Sequence, residues 1–104
     1  MRFGLLLTAG ISAMLFSTLA EAHTLRIECK KTTGAEVVCR GLFSDGEVAR
    51  GITVQLIDEN DKVLATAKTN AEGKYTFKAP GPEFNVVIQA SKAEVTSISS
   101  EDIW

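Results

Sequence analysis

Residues 23–104 predict an all-β fold in which about seven strands form two antiparallel sheets stacked as a sandwich. Three observations carry this expectation. Apolar and polar residues alternate with a period of two in one run after another. Turn signals rich in Gly, Asn, Asp and Pro interrupt those runs at roughly 8–12-residue spacing. No stretch beyond residue 22 keeps a helical period over a useful length.

The elements follow in order. Leu25, Ile27 and Cys29 alternate with Arg26, Glu28 and Lys30, a half-buried strand, and Lys31-Thr32-Thr33-Gly34 is a turn signal. Glu36 to Phe43 resumes in β-forming residues until Ser44-Asp45-Gly46 breaks the run. Ile52, Val54 and Leu56 predict one core-facing row, and Asp58-Glu59-Asn60-Asp61 a polar turn. Lys62 to Thr69 reads as the return strand, with Val63, Ala65 and Ala67 on one face. Asn70-Ala71-Glu72-Gly73 turns again, and Lys74-Tyr75-Thr76-Phe77-Lys78 alternates with both aromatics inward. Proline cannot donate to a ladder, so Ala79-Pro80-Gly81-Pro82 ends that strand. Phe84, Val86, Ile88 and Ala90 form the next buried row, and Ala93 to Ile98 a last short strand. Ile103 and Trp104, at the end of a polar tail, are expected to pack against the sandwich.

Residues 1–22 read differently. Arg2 is followed by an apolar run from Leu5 to Leu19, and small residues at Ala20 and Ala22 suit a signal peptidase. This segment is expected to be a signal-peptide helix, cleaved between Ala22 and His23, and the product to be periplasmic or secreted. Removing 22 residues from 104 leaves 82, one small domain. Arg2 and Glu21 leave together, so the net charge stays at −2. Without a run of Lys or Arg, no nucleic-acid partner is expected. Contact with a membrane is expected only through an uncleaved signal.

Cys29 and Cys39 are an even pair in an oxidising compartment, which favours a disulfide. Two hairpin registers are open. A Thr32-Thr33-Gly34 loop sets Cys29 against Val37, with Cys39 a diagonal neighbour at roughly 7–8 Å, too far for an easy bridge. A Thr33-Gly34-Ala35 loop sets Cys29 directly opposite Cys39. Turn chemistry favours the first and redox context the second.

The stretch Gly51-Ile52-Thr53-Val54-Gln55-Leu56, followed by Lys68-Thr69-Asn70-Ala71-Glu72-Gly73-Lys74-Tyr75-Thr76-Phe77, resembles the carboxypeptidase regulatory-like, transthyretin-like family of Ig-like sandwiches. In that family the second segment is a hairpin of the pattern T-[DN]-x-x-G-x-Y-x-F. The layout from His23, through Phe43-Ser44-Asp45-Gly46 to Gly51, is also similar to the extracytoplasmic domain of nickel and cobalt uptake proteins. Where those proteins carry a further histidine, this chain reads Ala90-Ser91-Lys92-Ala93. The resemblance implies a non-catalytic accessory or binding module of the cell envelope, partnered by an envelope protein or a metal-transport component.

The residues offer little for catalysis. One histidine, at a terminus, cannot build an oriented nucleophile–base pair, and no Gly-rich phosphate loop follows a strand. No enzymatic activity is expected. The alternative function is metal handling. His23, as a new N-terminus, offers an α-amine and an imidazole to nickel, cobalt or copper. Cys29 and Cys39 lack the C-x-x-C spacing of common zinc sites. Asp58, Glu59 and Asp61 lack the calcium-loop spacing and read as a solvated turn, as do Asp45 and Glu47.

Overall fold

The computed structural model describes residues 24–104; residues 1–22, expected to be a signal peptide, the Ala22–His23 junction and His23 itself lie outside the described residues. Seven strands form: β1 (Leu25–Lys31), β2 (Glu36–Phe43), β3 (Thr53–Asp58), β4 (Val63–Lys68), β5 (Lys74–Lys78), β6 (Phe84–Ser91) and β7 (Glu94–Ser99). They make a three-stranded sheet in the order β1-β2-β5 and a four-stranded sheet in the order β4-β3-β6-β7. All pairings are antiparallel. The expected sandwich is therefore the observed one.

The core lies where the alternating rows of the two sheets meet. Val37 and Phe77 come from one sheet, and Val54, Leu56, Val86 and Ile88 from the other, all buried. Phe77 and Phe84 join the sheets edge to face at 5.8 Å between ring centroids, and Tyr75 stacks on Phe77 at 5.5 Å. Such ring pairs add to the area-based stabilisation because their quadrupoles are oriented.

The β1–β2 hairpin takes the second of the two registers. Cys29 pairs with Cys39, and the two are bridged across Cα atoms 4.0 Å apart. Hydrogen bonding in this ladder starts at Thr32, whose N–H donates to Glu36 at 3.0 Å. By alternation, Cys29 and Cys39 occupy a close, non-hydrogen-bonded position, which brings their side chains together. The other register fails because Gly34, at φ +56°, is not the last loop residue but the first central residue of a tight turn. That turn closes through Glu36 N–H on the Thr33 carbonyl at 2.9 Å. Thr32 and Thr33 then both face Glu36, a one-residue bulge that shifts the ladder.

Three other expectations are corrected. Val63 does not share a face with Ala65 and Ala67. The ladder slips by one residue between Leu56–Ala65 and Ile57–Val63, leaving Leu64 as an extra residue. The bulge turns Val63 to the outer side with Ile57, and it is 46% exposed. Second, the Asn70–Gly73 turn does not close a hairpin: β4 and β5 belong to different sheets, and β5 pairs with β2. Third, Trp104 does not pack. Ile103 is buried, but Trp104 is 90% exposed, and only its carbonyl is held, by Lys31 N–H on the free side of β1. A short 3-10 turn, Ser100–Asp102, brings Ile103 back to the core; the Ser99 hydroxyl accepts from Glu101 N–H to start it.

Candidate functional site

The motif that looked most diagnostic in the sequence is occupied with holding the two sheets together. Among the described residues, Thr69 is the one buried polar side chain. Its hydroxyl donates to the Ala49 carbonyl at 2.6 Å and accepts from Ile52 N–H at 3.0 Å. Its main chain exchanges hydrogen bonds with Gly51 and Ile52, both at 3.0 Å. The connection from β2 to β3 is thereby fastened to the end of β4. Ala49 N–H in turn donates to the Gly41 carbonyl of β2, and Gly41 N–H to the Gly73 carbonyl, both at 2.9 Å. Gly73 sits at φ +75°, where an added Cβ would meet Gly41 O at 3.0 Å and Ala49 N at 3.1 Å.

Asn70 shapes the corner. Its side-chain oxygen accepts from Glu72 N–H and Lys74 N–H, both at 2.9 Å. Asp58 does the same for Asn60 and Lys62, at 2.8 and 2.9 Å. Asp58 is thus engaged by its own turn, as Asp45 is by Glu47 N–H at 3.0 Å. These carboxylates read as turn formers, and no group of three or more candidate metal-binding side chains occurs among the described residues. The bridged cysteines are not thiolate ligands. His23, the sequence-predicted metal residue, lies outside the described residues.

At the β3–β4 turn, Glu59 is held above the ordinary glutamate range, first by a hydrogen bond to Glu83 and then by that carboxylate's charge. The ionised pair therefore opposes folding at neutral pH, and protonation relieves the opposition as pH falls through the raised value. Substituting Glu83→Gln is expected to lower the Glu59 midpoint toward the ordinary glutamate range. A carboxyl-carbon NMR titration checks this; an unmoved midpoint refutes the pairing.

What remains available for function is surface. Among the described residues, two clefts of about 230 and about 280 Å³ stand out. Both are below the roughly 300–1,000 Å³ that encloses a drug-sized ligand. The first, at one end of the sandwich, is lined by apolar side chains such as Val37, Phe84 and Ile103. The second lies on the outside of the three-stranded sheet.

Edges differ more sharply. β5, β4 and β7 are outer strands, each paired on one side. β5 carries Lys74 and Lys78, the charged guards usual on an edge. The free side of β1 is met by Trp104. β4 runs Val63-Leu64-Ala65-Thr66-Ala67 with no charge until Lys68, and Leu64 is 42% exposed. Thr69 N–H points to β3, so by alternation the N–H groups of Ala67 and Ala65 do too, while that of Thr66 faces outward. Sequence alternation missed this edge because it placed Val63 inside; the available signal was the uncharged run itself.

Among the described residues, no helix is long and apolar enough to cross a membrane. Comparison of the chain with protein-family models, with characterised proteins and with solved structures returned no match.

Proposed function

We propose that this chain is an exported, non-catalytic binding module of the cell envelope, which takes up an extended segment of a partner protein along β4. The observation that supports this reading most is the uncharged, unpaired edge Val63–Ala67, with Val63 and Leu64 at the surface. A backbone ladder provides affinity in such an addition, and alternate side chains provide choice of partner. Export is supported by the leader-like residues 1–22 and by the disulfide, which is at home in an oxidising compartment. The resemblance to carboxypeptidase regulatory-like sandwiches points the same way. It too rests on a fold that hosts many roles.

Thr66→Pro tests the edge. It removes an outward N–H and leaves the ladder to β3 intact, so the variant is expected to fold. A photo-activatable cross-linker placed at Leu64 in the producing cells is expected to give one defined protein adduct, lost on adding Thr66→Pro. The same cross-linker at Ser97, on β7, is expected to give none. An adduct that survives Thr66→Pro, or one that forms at Ser97 and not at Leu64, refutes strand addition at β4.

A further inference from the structure

The outer face of the β1-β2-β5 sheet is cationic in a protein of net charge −2. The register places Arg26, Lys30, Arg40, Lys74 and Lys78 on this face, against the carboxylates Glu28 and Glu36. Arg40 lies between Glu28 and Lys74 in one cross-strand row, Lys30 and Thr76 flank Val38 in the next, and Glu36 faces Lys78 in the third. Glu28 is shared by two guanidiniums, at 3.3 Å from Arg26 and 3.6 Å from Arg40. Among the described residues, Lys30, Lys74 and Lys78 are in no ion pair. At a rise of about 3.4 Å per residue, Lys74 and Lys78 stand roughly 14 Å apart along β5, with Lys30 in the row between. The cations therefore form a stripe, not a point.

We infer that this stripe is a docking surface for an acidic polysaccharide, a chain of sugar rings bearing carboxylates. Positive charge selects the anion. Shape selects the rest. The cleft of about 280 Å³ has Val38 in its lining with Lys30, Arg40 and Lys74 around it, and Glu28, which also lines it, is held by Arg40; three cations against one carboxylate leave the cleft positive around a small apolar floor. The middle of a sheet face offers no free backbone ladder to an acidic peptide. Trp104, whose carbonyl accepts from Lys31 N–H on the free side of β1, leaves its indole exposed at the rim of this sheet. This inference concerns a different surface from the β4 edge and stands or falls separately.

Trp104 is the single tryptophan, so its emission reports this rim alone. The mature, disulfide-intact protein is titrated with alginate oligomers at low ionic strength, by calorimetry and by tryptophan emission. Binding with a blue shift is expected, weakening as salt rises. Neutral dextran, polyglutamate and vesicles containing phosphatidylglycerol are the comparison arms, and each is expected to bind more weakly than alginate and to leave the emission in place. The exposed double variant Lys30→Gln/Lys74→Gln is expected to keep its fold, checked by circular dichroism, and to bind alginate about tenfold more weakly. No binding of alginate, or equal binding by the double variant, overturns the inference. So does polyglutamate or the vesicles binding as tightly as alginate.

Discussion

Replacing Cys29 and Cys39 together by alanine is expected to remove a large share of the stability of this domain. The bridge closes a short loop, with the cysteines ten residues apart in sequence. Chain entropy alone assigns such a loop about 2.5–3 kcal/mol. Both cysteines are buried in the core, so truncation adds a cavity contribution of the same sign. A domain of this size has only about 4–12 kcal/mol in total. The melting temperature is expected to fall by roughly 10–20 °C. Reduction of the unmutated protein is expected to reproduce most of that loss and leave the double variant unaffected. Thiol alkylation under denaturing conditions checks the premise, with two sites modified after reduction and none before. If reduction leaves the midpoint of chemical denaturation in place, the bridge does not contribute as argued.

Substituting Gly73→Ala is the second large effect, for a reason that can be separated into two parts. A non-glycine residue at φ +75° bears the left-handed penalty, about 1–2 kcal/mol. The new Cβ would also press on Gly41 O and Ala49 N, which are backbone atoms already hydrogen-bonded and unable to retreat alone. The sum is expected at about 2–4 kcal/mol. Gly34→Ala is the control, since it shares the positive φ, at +56°, but has nothing within 4 Å of the new atom. Asparagine tolerates left-handed backbone, so Gly34→Asn is expected to be nearly neutral and Gly73→Asn still costly. Urea denaturation of the four variants decides it. Equal losses at the two positions would mean that crowding at the corner is unimportant.

The strands were legible because each buries one face only, and alternation reports that directly. Leu25-Ile27-Cys29 and Val54-Leu56 read correctly for this reason. Topology was less legible. The turns at Asp58–Lys62 and Asn70–Lys74 share one hydrogen-bond pattern, an Asx oxygen taking two N–H groups and a positive φ at the fourth residue. One makes a hairpin and the other a corner between sheets. Local chemistry sets the turn, but Gly73 hydrogen-bonding to Gly41 sets the destination, and that partner is 32 residues distant in the chain (73 less 41). Val63 was misplaced because one extra residue, Leu64, reverses a period-two pattern. The cationic face was invisible as a run because its members come from three strands. Register alone brings Arg26, Lys30, Arg40, Lys74 and Lys78 onto one face, with Glu28 and Glu36 among them.

The buried threonine has a mechanical corollary. Thr69 directly follows β4, grips the Ala49 carbonyl, and Ala49 in turn grips β2 in the opposite sheet. A tug delivered to the outermost strand is therefore passed, through two bonds, to the middle of the far layer. The end of β4 and the middle strand of the facing sheet are thus coupled by main-chain carbonyls, so the two layers share a fastening besides their apolar contact.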